Sequence, residues 1–248
     1  MSSGVFYAYA KNVRDDVTWR YLIVFASRSV ADEWWRAVST SSNTAFSSTV
    51  RRLNPQFYTH DPNQANISRT ITEATVAGNF LDKVFFTLLP DRDGRSMNII
   101  PPLDITDHVS GNLYYIRAKG DKSVYWCADA NGRVTASRTN STRFLVRTVE
   151  QTNTRLIMIN SDAINISVGQ QSVSVTSGDG FLQLTRLGDR LTFGDFNSGY
   201  AVANTQYANS YGYNRIVKVE NGTGEQWELT TSGRVCGISS EKPDCDDQ

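Results

Sequence analysis

Aromatic and amide side chains crowd into one short segment near the end of the chain, residues 204–214. The residues there that could contact a ligand are Asn204, Gln206, Tyr207, Asn209, Tyr211, Tyr213 and Asn214. Aromatic rings can stack on the apolar face of a pyranose, and amides offer hydrogen bonds to sugar hydroxyls. Because no periodic apolar pattern accounts for the tyrosines, the segment predicts a surface loop that binds carbohydrate. A long hairpin loop pinned by its own tyrosines is an equally good interpretation.

A second candidate ligand-binding group is the polar turn that contains Asp129, Asn131 and Arg133. Asn131 is followed by Gly132, and Asn-Gly strongly favours a two-residue hairpin because both central positions of that turn need positive φ. The three polar side chains could line a ligand pocket beside the hairpin. Residues of these types are also common as simple turn formers.

Residues that could support catalysis are sparse. The two histidines, His60 and His108, each have an aspartate next to them in sequence, which is a weak signal. Cys127 falls inside a predicted strand, where a small buried hydrophobe is a better interpretation than an activated nucleophile. The sequence has no nucleophile elbow, phosphate loop, dinucleotide fingerprint or zinc-protease motif, and its scattered cysteines predict no zinc site. We therefore expect a binding protein that is not an enzyme and uses no metal or cofactor.

Composition and charge narrow the class of partner. Lysine plus arginine and aspartate plus glutamate both number 25 in 248 residues, so no net field attracts the chain to nucleic acid or to anionic lipid. No apolar run approaches the roughly 18 residues of a membrane span, and the first residues lack the features of a signal peptide. We expect a cytoplasmic protein, or one exported by an unconventional route, with no nucleic-acid partner and no membrane span.

Residues 1–108 predict a small α+β domain of unknown role. Its one helix is expected over 29–38, where Val30, Trp34 and Val38 share a face. Of the two neighbouring tryptophans, Trp34 and Trp35, at least one is expected in the core, and only Trp35 is placed to be exposed. The other predicted elements are strands at 4–10, 19–26, 56–59 and 81–89 and a loop at 39–49.

The second half of the sequence contains an internal repeat. Three stretches each end in an alternating pair of apolar or aromatic residues, which are Phe144 with Val146, Leu182 with Leu184, and Trp227 with Leu229. Four short β-like runs belong to each stretch, so twelve short strands are expected over 109–232. Three units with a period of about forty residues best fit a β-trefoil, since a propeller needs about four blades or more. Trp126, Phe144 and Trp227 are expected to be core residues of this domain.

The first repeat also contains a specific run of residues. Tyr125-Trp126-Cys127-Ala128 is followed by the turn Asn131-Gly132 and by Val134-Thr135-Ala136. This run resembles the repeat of fascin-like β-trefoils, in which an aromatic-aliphatic-x-Ala strand precedes Asn-Gly and Val-x-Ala. Tyr200-Ala201-Val202-Ala203 keeps part of the same pattern. Lectin-type trefoils of the ricin B sort usually close each repeat with Gln-x-Trp, whereas here Gln226 and Trp227 are adjacent and occur once.

The expected fold class is therefore an α+β N-terminal domain over 1–108, then an all-β β-trefoil binding domain over 109–232 and an acidic flexible tail over 233–248. The leading hypothesis is a lectin-like protein whose trefoil loops recognise a glycan or glycoprotein. The resemblance also implies an alternative, a fascin-like module that binds a filament or another protein. A third hypothesis is a protease inhibitor of the trefoil type, because the trefoil scaffold presents long loops. The first domain could assemble the chain into a homo-oligomer or supply a second binding specificity.

Overall fold

The computed structural model describes residues 4–15, 17–89, 105–150, 156–203, 214–220 and 222–233. The chain divides into two compact units. The first unit consists of residues 1–111 and 148–163, and the second unit consists of residues 112–147 and 164–248. Strands and buried apolar side chains occur in both units.

The described residues of the first unit form one sheet and two α-helices. The elements are β1 (Phe6–Asn12), β2 (Tyr21–Phe25), α1 (Arg28–Ser39), α2 (Thr44–Thr49), β3 (Arg51–Asn54), β4 (Phe57–His60) and β5 (Val84–Leu88). The strand order is β3-β4-β1-β2-β5. β1 runs antiparallel to β2 and parallel to β4, and the two outer strands, β3 and β5, are antiparallel to their neighbours.

Helix α1 packs its apolar face into the core of the first unit. The helix begins after Ser27, whose hydroxyl accepts a hydrogen bond from the N–H of Val30 at 3.2 Å, as an N-cap should. Trp34 is fully buried, its ring lies 5.4 Å from that of Phe25, and its Nε1 donates to Thr70 Oγ1 at 3.1 Å. The predicted helix and the predicted burial of Trp34 are confirmed.

A network of charged side chains ties α1 to β3 and to the segment after residue 105. Asp32, on α1, accepts hydrogen bonds from Arg28 Nε at 2.8 Å and from Arg52 Nη2 at 2.7 Å. Arg52 also donates to Asp107 at 2.5 Å, and Arg28 donates to the carbonyl of Thr106 at 3.2 Å. Burial alone would raise the pKa of Asp32, but the two guanidinium groups outweigh it and hold that pKa below its ordinary value.

Helix α1 holds a second distant segment, residues 156–163, through Arg36. The Arg36 guanidinium donates to the carbonyl of Ile157 at 2.9 Å and pairs with Asp162 at 2.6 Å. Asn160 Nδ2 donates to Ser29 Oγ at 2.7 Å. These contacts explain why residues 148–163 belong to the first unit although they are distant from it in sequence.

Among the described residues from Asn112 onward, 11 strands form one sheet. The strands are β6 (Asn112–Ala118), β7 (Tyr125–Ala128), β8 (Val134–Ser137), β9 (Phe144–Thr148), β10 (Ala163–Val168), β11 (Gln171–Val175), β12 (Leu182–Thr185), β13 (Leu191–Thr192), β14 (Tyr200–Val202), β15 (Asn214–Lys218) and β16 (Trp227–Thr230). They follow the path β12-β11-β10-β9-β6-β7-β8-β15-β14, with β13 joined to β10 and β16 joined to β6.

Aromatic side chains fill the interior of the second unit. Trp126, Phe144 and Trp227 are buried, as predicted. The Trp126 ring lies 5.1 Å from that of Tyr200 and 5.7 Å from that of Trp227, and Trp227 Nε1 donates to the carbonyl of Tyr200 at 3.2 Å. Burial, helped by the carboxylate of Asp195, raises the pKa of the Tyr200 hydroxyl. These contacts join β7, β14 and β16 around one aromatic core.

The predicted fold class, an α+β domain followed by an all-β β-trefoil, is wrong. Strands run through the whole described chain, and the described residues of the first unit contain a five-stranded sheet and only two α-helices. Most runs predicted after residue 109 are strands, but they pair along one sheet path and do not close as three four-stranded repeats. Alternating apolar residues identify a strand without identifying its partner, because the partner depends on contacts between distant residues.

Two local predictions are also wrong. The run 156–159 was expected to be the first strand of the second repeat, but it contains no strand, and Ile157 makes only an isolated bridge to Val109. Residues 44–49, expected in a loop, form α2, whose Phe46 is buried. The serine and threonine residues of α2 make it a poor helix by propensity, so packing of Phe46 in the core decides its structure.

Removal of the Asp32 carboxylate should destabilise the first unit strongly. Asp32→Ala takes a carboxylate away from Arg52, whose side chain is only 2% exposed, and breaking one side of a buried ion pair costs ~3–5 kcal/mol. Urea unfolding followed by circular dichroism at pH 7 should show this loss in the free energy of unfolding. Asp82→Ala, at an exposed position, is the control and should change that free energy by less than about 0.5 kcal/mol. Equal effects of the two substitutions would contradict the prediction.

Candidate functional site

The polar turn predicted from the sequence is the hairpin turn between β7 and β8, in the second unit. Asp129 Oδ1 accepts hydrogen bonds from the backbone N–H groups of Asn131 at 2.8 Å and Arg133 at 2.9 Å. Gly132 has a φ of 75°, but the φ of Asn131 is not positive. The predicted two-residue turn, which needs positive φ at both central positions, is therefore wrong, and residues 129–133 form a longer connection. The Asp129 carboxylate therefore shapes the turn, while the side chains of Asn131 and Arg133 are exposed.

Two other segments of the second unit meet this hairpin through backbone pairing. Arg133 forms an antiparallel bridge with Gln183 of β12. β8 pairs antiparallel with β15, which places Asn214 and Arg215 on the strand next to the hairpin. Phe181, immediately before β12, also bridges to β15. Sheet hydrogen bonding therefore fixes the three segments relative to one another.

The Arg215 guanidinium stacks on the ring of Phe181. Its Cζ atom lies 3.9 Å from the ring centroid, well inside the range of a cation–π contact. Both side chains are half-buried, and Arg215 Nε is buried without a hydrogen-bond partner. Burial lowers the pKa of Arg215, Asp179 and Asp129 oppose this effect, and Arg133 reinforces it. Arg215 is therefore a cation whose loss of hydration the neighbouring carboxylates do not fully offset.

Asp179 has a role in its own turn like that of Asp129 in the hairpin. Its Oδ1 accepts hydrogen bonds from the hydroxyl of Thr176 and, at 3.3 Å, from the N–H of Phe181. The Thr176 hydrogen bond is the main reason that the pKa of Asp179 lies below its ordinary value. We call this surface the hairpin patch, formed by Asp129, Asn131, Arg133, Asp179, Phe181, Asn214 and Arg215.

The sequence identified part of the hairpin patch. The structure brings Asp129, Asn131 and Arg133 together in one turn and places Asn214 at the first position of β15. The remaining predicted ligand-binding residues lie outside the described residues, as does the predicted tail from residue 234 onward. Those binding residues are Asn204, Gln206, Tyr207, Asn209, Tyr211 and Tyr213. Asp179, Phe181 and Arg215 were missed, since only the pairing of β8 and β12 with their neighbours brings them to the hairpin.

A separate exposed aromatic residue lies in the first unit, between β1 and β2. Trp19 has a φ of 52°, the one positive φ of a non-glycine residue in the part of the chain that the structure describes. This backbone conformation costs such a residue ~1–2 kcal/mol. His60 Nδ1 accepts a hydrogen bond from the N–H of Ile67 at 3.3 Å, so Nε2 carries the proton and donates to the carbonyl of Trp19 at 2.9 Å. A fully buried, neutral histidine therefore holds Trp19 in place.

Further hydrogen bonds fix the same connection. Asp15 Oδ1 accepts from the N–H groups of Val17 at 2.9 Å and Thr18 at 2.6 Å, and Oδ2 accepts from the Thr18 hydroxyl at 2.7 Å. Asn12, the last residue of β1, donates to Asp15 and to Thr18. The Thr18 N–H is the main reason that the pKa of Asp15 lies below its ordinary value. The connection is thus organised by its own side chains.

Among the described residues, no three His, Cys, Asp or Glu side chains are grouped to hold a metal ion. No helix in the same part of the chain is long and apolar enough to cross a membrane. No protein-family model matches the sequence, and no curated protein matches it.

The stability of the first unit should depend on His60 under mildly acidic conditions. Burial lowers the pKa of His60, although hydrogen bonding to Trp19 and the charge of Asp61 oppose this effect. As the pH falls below about 6.5, the unfolded chain binds a proton that folded His60 does not, so the free energy of unfolding decreases until the pH passes the folded pKa. Urea unfolding between pH 7 and pH 5 should therefore show a steeper loss for the wild type than for His60→Gln. Parallel profiles would contradict a neutral, buried His60, because His108 is present in both proteins.

Proposed function

We propose that the second unit is a carbohydrate-binding, lectin-like module whose hairpin patch contacts a glycan or glycoprotein. The observation that carries this proposal is the half-exposed stack of Arg215 on Phe181 beside the exposed side chains of Asn131 and Arg133. Aromatic and guanidinium planes offer a flat surface to the CH face of a sugar ring. The neighbouring amide and guanidinium groups can donate hydrogen bonds to its hydroxyls.

The backbone around the hairpin patch favours binding by a preformed surface. The Asp129 turn, the bridge from Arg133 to Gln183 and the pairing of β8 with β15 hold the three segments before any ligand arrives. A preformed surface loses less conformational entropy on binding than a loop that must order. Asn214 also joins the patch directly, in sequence, to the tyrosine and amide residues of 204–213, whose chemistry suits the same ligand.

Glycan binding should require Arg215. The full-length protein applied to a glycan array should bind at least one glycan, and Arg215→Ala should weaken the dissociation constant about tenfold or more, because a hydrogen bond to a charged group contributes ~1.5–3 kcal/mol. Isothermal titration calorimetry with the best array ligand measures this change. Arg147→Ala, which removes an exposed arginine on β9 outside the patch, is the matched control and should bind as the wild type does.

Two results would reject this function. One is an array on which the wild type binds no glycan, and the other is unchanged affinity of Arg215→Ala. The combined substitution of Tyr207, Tyr211 and Tyr213 by alanine separates the two candidate regions. A loss comparable to that of Arg215→Ala would show that both contribute to one site, and wild-type affinity would restrict the site to the hairpin patch.

A further inference from the structure

The connection between β1 and β2 presents apolar side chains to solvent. Val13 is 53% exposed, Val17 is 39% exposed and Trp19 is 47% exposed. The other four tryptophans, all within the described residues, are buried or half-buried and pack in the interiors of the two units. Trp19 therefore differs from every other tryptophan in having half of its surface in water.

The exposure of Trp19 is maintained at a cost to the fold. Its backbone is left-handed, a conformation that glycine or asparagine adopts more readily. The buried ring of His60 uses its N–H group in a hydrogen bond to the Trp19 carbonyl. Core packing does not account for a tryptophan at this position, because packing would bury the indole. Strained residues that their surroundings hold in place are typical of contact sites.

Leu88 of β5 is exposed at the same end of the sheet. Tyr21 pairs with Leu88, and the N–H of Leu89 donates to the carbonyl of Arg20 at 2.8 Å, so the end of β5 lies beside the connection. Leu88 is itself 47% exposed. We call this end of the five-stranded sheet the apolar tip, formed by Val13, Val17, Trp19 and Leu88.

The charges around the apolar tip cancel or are occupied. In the sequence of the connection, Arg14 and Arg20 balance Asp15 and Asp16. Arg14 pairs with Asp61 through its Nη2 at 2.9 Å and its Nε at 3.2 Å. The Asp15 carboxylate accepts hydrogen bonds from within the connection. A sugar needs several free donors and acceptors around an aromatic ring, and these described polar groups are already used.

We propose that the apolar tip docks the protein onto a lipid surface with zwitterionic headgroups, and that Trp19 enters the headgroup layer. The amphipathic indole ring is stable at the boundary between headgroups and acyl chains. The connection between β1 and β2 carries apolar side chains at the end of the sheet. It can insert into a lipid layer because the layer deforms around it and needs no groove of matching shape. Because the connection has no net charge, binding does not need anionic lipid. This site lies in the first unit and is independent of the hairpin patch.

The experiment uses the full-length protein and phosphatidylcholine vesicles. The wild type should sediment with the vesicles, and its tryptophan emission should move to shorter wavelength as Trp19 leaves water. Trp19→Asn suits the left-handed backbone and should preserve the fold. It should lower the partition coefficient roughly tenfold or more, the factor expected when half an indole no longer leaves water. The emission shift should disappear, because the remaining tryptophans are in the protein interior.

Two further variants make the test specific. Trp19→Phe keeps an aromatic ring and should retain most of the vesicle binding. Leu53→Ser removes an apolar side chain that is 66% exposed but lies on β3, at the opposite end of the sheet, and should bind as the wild type does. Circular dichroism of each variant confirms that the fold is intact.

Several outcomes would overturn the proposal. They are a wild type that does not bind phosphatidylcholine vesicles, equal binding by Trp19→Asn, and binding that requires phosphatidylserine and persists in Trp19→Asn. A wild-type dimer in sedimentation velocity that Trp19→Asn abolishes, without vesicle binding, would identify a second copy of the chain as the partner and would also overturn the lipid proposal.

Discussion

Pairing between strands that are distant in sequence is the constraint on which the second unit depends. β6 pairs antiparallel with β16, so that Ile116 lies opposite Leu229 and Arg117 lies opposite Glu228. The register is supported by an ion pair between Arg117 and Glu228 at 2.6 Å. It also delivers Trp227 to the aromatic core around Trp126. Pairing between distant segments also forms the hairpin patch, at β8, β12 and β15. The candidate site therefore depends on the same long-range strand pairing as the fold.

The sequence predicts those parts of the fold that local chemistry determines. The apolar spacing of α1 predicted the helix and the burial of Trp34, and alternating residues located most strands. The apparent threefold repeat failed as a guide to architecture, because each repeat specifies strands but leaves their partners open. A turn at Asp129 was predictable because Asn-Gly acts within a few residues, but its predicted two-residue form was wrong, since Asn131 does not have positive φ. Arg215 and Phe181 were not predictable, since they come together only through pairing. Trp19 was missed because tryptophan gives no sequence signal for positive φ.

The hairpin patch and the apolar tip differ in how their surrounding polar groups are used. At the hairpin patch, Asn131 and Arg133 contribute backbone groups to the turn, while their side chains are exposed. At the apolar tip, Asp15 and Arg14 are engaged by groups of the same unit. Free donors beside an aromatic plane suit a ligand with many hydroxyls, and an aromatic residue among satisfied polar groups suits an apolar partner. The two proposals follow from this one difference.

The same reasoning separates structural arginines from those that can bind. Burial alone would lower the pKa of Arg52, but Tyr58, Asp32 and Asp107 together raise it, and the side chain is almost inaccessible. The charge of Arg52 is therefore used within the first unit. For Arg215 the effect of burial is larger than that of the neighbouring carboxylates, so its pKa is lowered. Its guanidinium packs directly on the aromatic ring of Phe181. Among the described residues, no carboxylate is hydrogen-bonded to the half-buried Arg215. A ligand that supplies acceptors can therefore form charge-assisted hydrogen bonds with it. Arg52 is buried and already paired with Asp32 and Asp107, so it cannot bind a ligand in this way.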